Sequence, residues 1–328
     1  MPKLSIAGRP LFNSSGDVDL QSTGYQYIID SLTYIRDKVI KQKFFELSVP
    51  DYIPMDVGEA AWRSEIVQNL EFITGGTFAE GITDQGFGKT PEVGSALAQI
   101  RMPTRLWAKK ATWSIAEISE AANANWDVVD SRMRALKKNW DLGIQEGAFN
   151  GFDASLTGFL NNADVNINTA LITEEISGMS DAEFQTFVKG LLTAYFANSN
   201  YTRDNPDTFV MPASDYLGLA SAASATFPNI SKLEYLENSL KKMTRNDGFK
   251  ILPCVYSQSA KNPAAKDRYV LYRNDPETLK MSIPVDFTMN QAYTTDGLVF
   301  QQKAYGQISG VLVNRPREVL YLDLTAGT

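Results

Sequence analysis

Apolar residues at intervals of three and four positions predict several α-helices. The clearest runs from residue 126 to 149, which spans roughly 36 Å as a helix, with charged residues on its opposite face. Capping boxes predict that two further helices begin at Ser180, paired with Glu183, and at Ser231, paired with Glu234. Gly248 follows the second of them as a stop signal. The apolar stripe of the 126–149 helix consists of Trp126, Val129, Met133, Leu136, Trp140 and Ile144.

Between Trp62 and Trp113 the pattern is β-like. Two apolar stretches, EIVQNLEFIT and AQIRMPTRLWAKKATWS, flank a middle that holds 6 of the chain's 22 glycines within 20 residues. This arrangement predicts a long two-stranded hairpin with a glycine-rich tip. The preceding stretch, FFELSVPDYIPMDVG, predicts extended chain without a helix, because Pro50 and Pro54 oppose helix formation.

The remaining chain combines helices with short strands. A helical stripe predicts a helix after residue 23, and a short helix is expected from Ser214. In the last predicted strand, REVLYLDL, leucines alternate with other residues from Val319 onward, which predicts a half-buried strand. Together these elements predict an α+β fold. The other predicted strands are TFVM, FKILPCVY, RYVLYR, KMSIPVDFTM and GLVFQQKAYGQISGVLV.

Composition narrows the function classes. The 328 residues are 44% hydrophobic and carry a formal net charge of -7, so a general nucleic-acid binder is disfavoured. The chain has no histidine, which removes the commonest general base and zinc ligand. Its one cysteine, Cys254, lies in the apolar run ILPCVY and is expected to be a buried, inert thiol. No apolar stretch reaches membrane-spanning length.

The segment DQGFGKTPEVG contains Gly88-Lys89-Thr90, the end of a phosphate-binding loop pattern. The pattern requires a glycine where this chain has Thr83, and Pro91 opposes the helix that should follow. A glycine-rich loop tip is therefore the better interpretation. We expect no catalytic, cofactor-binding or metal-binding residues.

The order of elements resembles the major capsid protein of tailed double-stranded DNA bacteriophages, which has the Hong Kong 97 type fold. Three stretches carry the resemblance: the turn Gly158–Asn161 after the long helix, the strand-proline-helix unit DTFVMPASDYLGLAS, and the closing strands AYGQISGVLVNRPREVLYLDL. The resemblance implies a shell-forming structural protein with an N-terminal arm, an E-loop hairpin, a P domain with a spine helix, and an A domain.

The resemblance also implies domain boundaries and contact residues. The E-loop hairpin should contact neighbouring subunits, and Lys89 lies in the kind of loop that forms covalent crosslinks in some family members. The expected domains are the N-terminal arm with a helix (1–50), extended strands and E-loop (51–113), the spine helix (114–160), the A domain (161–279) and the C-terminal P-domain strands (280–328). The expected subunit contacts are Trp62, Phe72, Phe78, Phe87, Lys89, Arg105 and Trp107.

The implied partners are further copies of the chain, as hexamers and pentamers of an icosahedral shell. Portal proteins, separate scaffolding or decoration proteins, and packaged double-stranded DNA without sequence-specific contact are also implied, but no cofactor and no membrane. The implied location is the virion, with assembly in the bacterial cytoplasm. One alternative is an encapsulin-like nanocompartment shell around a cargo enzyme. Another is a carboxylate- or lysine-based enzyme.

Overall fold

The computed structural model describes residues 5–6, 9–10, 46–74, 92–123, 127–202, 204–221, 230–294 and 297–324. The helix expected after residue 23 and the glycine-rich tip at 75–91 lie outside this part of the chain. The fold is mixed α+β, as the sequence predicts, and the long hairpin strands and the long helix are both confirmed.

The helices of the described residues are α1 (Val49–Tyr52), α2 (Ile115–Asn123), α3 (Val128–Asn150), α4 (Asp181–Asn198), α5 (Ala213–Ser221) and α6 (Lys232–Thr244). The strands are β1 (Ser5–Ile6), β2 (Arg9–Pro10), β3 (Met55–Val57), β4 (Glu65–Thr74), β5 (Gly94–Ser114), β6 (Asn166–Asn168), β7 (Thr208–Pro212), β8 (Lys250–Cys254), β9 (Arg268–Tyr272), β10 (Leu279–Ile283), β11 (Val285–Met289), β12 (Tyr293–Thr294), β13 (Val299–Ser309), β14 (Val311–Val313) and β15 (Val319–Asp323).

The chain forms two compact units. The larger contains residues 48–107, 143–286 and 306–328, and its main sheet has the strand order β6-β15-β9-β7-β8. Apolar residues of α4 and α6 pack with those of the sheet in one core, for example Phe184, Leu236 and Tyr269. This packing explains why the helical stripes after Ser180 and Ser231 are apolar.

A close backbone contact fixes the turn after α3 in the larger unit. Gly151 adopts a left-handed φ of 76°, and a Cβ on Gly158 would lie 2.4 Å from the Gly151 nitrogen. The side chain of Asn161 holds the turn on both sides: its Oδ1 accepts the Gly158 N–H at 2.8 Å, and its Nδ2 donates to the Asn150 carbonyl at 2.6 Å. Glycine is therefore required where the turn crosses itself.

The smaller unit contains residues 1–47, 108–142 and 287–305. Here Leu136 and Trp140 of α3 are buried, as the apolar stripe predicts, while Val129 and Met133 are half-buried. The Trp140 ring packs 6.4 Å from the ring of Phe287, measured between centroids. Trp126 of the predicted stripe lies outside the described residues.

The prediction of extended chain around Pro50 is wrong. Residues Val49–Tyr52 form one helical turn, and Pro50 is the second residue of that turn. A proline is tolerated there because the first N–H groups of a helix have no intrahelical acceptor, and its fixed φ suits the helix. The Tyr52 hydroxyl then donates to the Pro253 carbonyl at 2.6 Å, which ties this turn to β8.

Two other local predictions need correction. Ser180 and Glu183 form the complete capping box, but Ser231 makes only the first of its two bonds, from the Glu234 N–H at 3.2 Å. Helix α6 ends at Thr244, before Gly248 as the sequence predicts, and the following residue, Arg245, takes the left-handed conformation. All five residues of β15 are buried rather than alternating, because the strand lies inside its sheet between β6 and β9.

In the described part of the chain, no helix combines the length and apolar character that crossing a bilayer requires.

Candidate subunit-contact surface

Strands β4 and β5 form the body of the predicted hairpin. They pair antiparallel over ten positions, from Glu65 opposite Pro103 to Thr74 opposite Gly94. One further bond, from the Thr104 N–H to the Ser64 carbonyl at 2.9 Å, continues the ladder toward the base. The described ladder thus runs from the base of the hairpin to the pair Thr74 and Gly94.

Apolar side chains on this hairpin are unusually exposed. Leu97 is 77% exposed and Phe72 is 52% exposed, although both lie in regular strand pairing. Large apolar side chains that stay in water in one subunit commonly mark a surface that a partner covers. Within the part of the hairpin and its base that the structure describes, the other exposed large apolar residues are Trp62, Val67, Val93 and Leu106.

A buried glutamine anchors the base of the hairpin. The Gln307 side chain is 3% exposed; its Nε2 donates to the Arg63 carbonyl at 2.6 Å and contacts the Thr104 hydroxyl at 2.7 Å. Its Oε1 accepts the Trp62 N–H at 2.8 Å, and the Thr104 hydroxyl donates to the Arg63 carbonyl at 2.5 Å. One side chain therefore bonds two backbone groups just before β4 and a side-chain hydroxyl on β5.

The turn before β4 has an uncommon backbone. Ala60 and Trp62 both have positive φ values, 58° and 63°, in the left-handed region that side chains other than glycine rarely adopt. The bond from the Trp62 N–H to Gln307 helps to hold this conformation. The result is a Trp62 side chain that is 63% exposed beside the hairpin base.

The seven expected contact residues differ in their exposure, and three of them lie outside the described residues. Trp62, Phe72 and Arg105 are exposed, and the Arg105 guanidinium donates to the Ser155 hydroxyl at 3.5 Å. Trp107 is half-buried. Phe78, Phe87 and Lys89 lie outside the described residues, as does the Gly88-Lys89-Thr90 stretch. The role of all seven in subunit contact stays a prediction.

Sequence reasoning missed two kinds of residue at this surface. Leu97 and Leu106 are exposed aliphatic residues in a strand that was itself predicted, so their position on the predicted hairpin was the available signal. Gln307 had no such signal, because its role depends on two segments about 200 or more residues away in sequence.

The smaller unit contains an open cleft of about 560 Å³. At its edge, Arg132 donates both guanidinium arms to the Glu117 carboxylate, at 3.0 and 3.2 Å, and also donates to the Thr112 carbonyl. The bond from Arg132, with a second from the Ser114 N–H, lowers the pKa of Glu117 below its ordinary value. The remaining lining residues are Lys110, Ala111, Trp113, Ser114 and Val299.

Two buried reactive side chains, Cys254 and Asp215, have structural surroundings. Burial raises the pKa of the Cys254 thiol to about 11, so the thiolate is scarce near neutral pH. The buried Asp215 carboxylate accepts bonds from the Tyr269 hydroxyl and from the N–H groups of Ile176 and Ser177. Within the described ranges, no group of three or more Cys, Asp and Glu side chains is arranged to hold a metal ion.

Replacing Gln307 with alanine should weaken the hairpin base. The Trp62 N–H loses its bond to this side chain, and the Arg63 carbonyl keeps only the bond from the Thr104 hydroxyl. Two lost hydrogen bonds together cost about 1–3 kcal/mol. We expect urea denaturation to show a loss of this size. Gln68→Ala is the control, because the Gln68 amide contacts only the adjacent Asn69 carbonyl at 3.4 Å among the bonds described. Equal stability of the two variants would contradict the anchoring role.

Comparison with known proteins gives a consistent result. Residues 79–324, well over half of the chain, match the family model described as major capsid protein. No curated protein matches the sequence significantly.

Solved structures share the fold at low sequence identity. The capsid of Myoviridae phage XM1 has a TM-score of 0.74 at 16% identity, covering 90% of this chain and 97% of that one. A structure from Gordonia phage Cozz has a TM-score of 0.54 at 12% identity, covering 98% and 99%. A virus-like particle from Pyrococcus furiosus has a TM-score of 0.50 at 14% identity, covering 84% and 92%.

The family match, the shared fold and the exposed hairpin all indicate a subunit that assembles with further copies of itself. The phage capsid neighbours have the Hong Kong 97 type fold that the sequence resembles. The chain belongs to the major capsid protein family and is a structural subunit of a multimeric virion shell.

Proposed function

We propose that this chain forms the hexamers and pentamers of an icosahedral shell that encloses a double-stranded DNA genome. The observation that carries the proposal is the β4–β5 hairpin, whose apolar side chains are exposed in the single subunit. Covering them requires a neighbour, and a closed shell provides one for every copy. Trp62, Phe72, Arg105 and Trp107 are the described candidates for this contact, and Phe78, Phe87 and Lys89 complete the set.

The charge of the chain suits a container for DNA. With a net charge of -7, the subunit has no general attraction for phosphate backbones, so it does not bind DNA broadly before a shell has formed. In this proposal the shell encloses the genome without sequence-specific contact. Portal proteins and scaffolding or decoration proteins are the further partners that we propose. The shell assembles in the bacterial cytoplasm, and the protein has no enzymatic role.

The domain organisation of the family provides a working division of the chain. In this proposal residues 1–50 form the N-terminal arm, 51–113 the E-loop with its flanking strands, and 114–160 the segment of the spine helix. Residues 161–279 form the A domain, and 280–328 return to the P domain. The A-domain assignment is supported by the compact core that α4 and α6 form with the central sheet.

Shortening the hairpin tests the proposal. Thr74 and Gly94 lie opposite each other as the last described pair, so an Asn-Gly turn can replace residues 75–93 directly. We expect a folded protein with a circular dichroism spectrum near that of the wild type. Electron microscopy should show closed shells for the wild type and none for the shortened variant.

Two outcomes would count against this proposal. A wild-type protein that stays monomeric at high concentration, alone and with its virion partners, would contradict shell formation. Normal shells from the shortened variant would instead mean that the tip is dispensable and that the contacts lie elsewhere.

A nanocompartment shell around a cargo enzyme is the second candidate. The observation that favours it is the fold shared with the virus-like particle from Pyrococcus furiosus, at a TM-score of 0.50. The contents of particles from the native source distinguish the two. Nuclease-protected double-stranded DNA supports the genome shell, whereas a co-purifying enzyme inside DNA-free particles supports the compartment.

A further inference from the structure

The turn after α3 begins with Asn150 and Gly151, the single Asn-Gly pair of the sequence. In such a pair the backbone nitrogen of the glycine can attack the side-chain carbonyl carbon of the asparagine, because glycine has no side chain to obstruct it. The attack forms a five-membered succinimide ring and releases ammonia. Water then opens the ring to aspartate or to isoaspartate, in which the main chain continues through the former side chain. The pair is therefore a potential deamidation site.

The folded chain holds the attacking nitrogen in a helical hydrogen bond. The Gly151 N–H donates to the Gly147 carbonyl, one turn earlier in α3, at 3.0 Å. Asn150 is the last residue of that helix. In a helix each side chain leans toward the N-terminal end, and therefore away from the nitrogen of the following residue. The attack thus requires the last turn of α3 to open.

The carboxamide of Asn150, which is the group under attack, is also held in place. Its Nδ2 donates to the Lys261 carbonyl, in the loop between β8 and β9, at 3.2 Å. Its Oδ1 is buried and accepts no hydrogen bond from the part of the chain that the structure describes. Attack at the carbonyl carbon places negative charge on this oxygen, and a buried oxygen without a donor disfavours that charge. The surroundings of Asn150 therefore oppose the reaction at both of its atoms.

Neither product of deamidation fits the folded turn. Because a Cβ on Gly158 would lie 2.4 Å from the Gly151 nitrogen, the crossing has no room for the extra main-chain carbon of isoaspartate. The Asn150 carbonyl, which accepts the Asn161 Nδ2 at 2.6 Å, would also leave the main chain and become a free carboxylate. Aspartate keeps the main chain, but it places a carboxylate oxygen against the Lys261 carbonyl in place of an N–H donor.

We propose that Asn150 is a latent deamidation site that the folded subunit keeps closed. The chain is modified there while it is unfolded, and the modified chain does not complete the turn after α3. Deamidation therefore marks chains that have stayed unfolded for long and removes them from the pool that assembles. Only this last step rests on the proposed shell function.

Peptide mapping by mass spectrometry tests the protection. Native protein and protein unfolded in guanidinium chloride are incubated side by side in mildly alkaline buffer, and the peptide that contains Asn150 is followed for the mass gain of deamidation. We expect this peptide to be modified at least about tenfold more slowly in the native protein. Unfolded Asn150→Gln is the control and should show little modification, because its longer side chain would have to close a six-membered ring.

A variant that loosens the turn tests the cause of the protection. Asn161→Ala removes the bonds to the Gly158 N–H and to the Asn150 carbonyl. We expect deamidation of this variant in native buffer to approach the rate of the unfolded chain, while its rate in denaturant stays unchanged. Asn168→Ala is the control, because it also removes a side chain that accepts two backbone N–H groups, but in a different turn, just after β6. It should keep the slow native rate.

The variant Asn150→Asp contains one deamidation product from the start. Its soluble yield after dilution from denaturant, and its yield of shells, should fall at least about tenfold. Asn168→Asp is the matched control, because the described bonds of the Asn168 side chain are accepted by its Oδ1, a role that a carboxylate fills equally well. It should refold and assemble like the wild type.

The outcomes separate this inference from the proposed function. Equal rates in native and unfolded protein would overturn the protection, and an unfolded chain that stays unmodified at Asn150 would overturn the site itself. An Asn150→Asp protein that refolds and assembles as well as Asn168→Asp would overturn the removal of modified chains. The peptide maps require no assembly, so a wild type that forms no shells would contradict the proposed function and leave the modification site standing.

Discussion

Replacing Trp140 with alanine should lower the free energy of unfolding by about 3–5 kcal/mol. The side chain is 2% exposed within α3, and its ring lies 6.4 Å from that of Phe287. Removing it leaves a large cavity that the surroundings fill only in part. Because whole domains are stabilised by about 5–15 kcal/mol, much of the protein should be insoluble or unfolded. Expression yield and thermal melting measure the effect.

Asn139→Ala provides the control for this substitution. Asn139 is the preceding residue on the same helix and is exposed, so its loss should change stability by no more than about 0.5 kcal/mol. A soluble Trp140→Ala protein that melts at the wild-type temperature would mean that the apolar stripe of α3 contributes little to the core.

The Arg268→Met variant should lose about 3–5 kcal/mol for a different reason. The Arg268 guanidinium donates to both oxygens of Asp323, at 2.6 and 2.7 Å, and also donates to the Leu160 carbonyl. Both side chains are almost completely buried, and the guanidinium stacks 4.6 Å from the ring centroid of Tyr321. Methionine fills similar space but leaves the Asp323 carboxylate as a buried charge without its partner.

A double variant separates the burial of charge from the loss of packing. In Arg268→Met with Asp323→Leu neither charge remains, so this protein should be more stable than Arg268→Met alone. The surface control is Arg134→Met, which breaks an exposed pair with Asp130 worth about 0.3–0.5 kcal/mol. Chemical denaturation of the four proteins gives the comparison. Similar losses for Arg268→Met and Arg134→Met would refute the argument.

The sequence predicted those elements whose signal is local. The stripe of α3, the capping box at Ser180 and the two hairpin strands each follow from residues close together in the chain. The capsid family followed from their order. The helical turn at Pro50 was missed because proline was considered only as a helix breaker, not as a residue that suits the first turn.

Features that depend on distant segments could not be predicted in this way. The burial of β15 on both faces depends on its place between β6 and β9, which its own alternating pattern does not specify. The Gln307 side chain bonds to Trp62 and Arg63, which lie 245 and 244 positions earlier in the sequence. The alternation of leucines in β15 was a correct sign of a strand and a misleading sign of its exposure.

The position of β15 has a consequence for the order of events during synthesis. The strand lies between β6 and β9, yet it is translated after every other strand of that sheet. Until residues 319–323 have emerged, β6 has no neighbour and the sheet remains divided. Closing so long a loop is a slow, non-local step of folding. A growing chain is therefore unable to complete this sheet, and only a subunit translated through residue 323 has the finished core with which to join a shell.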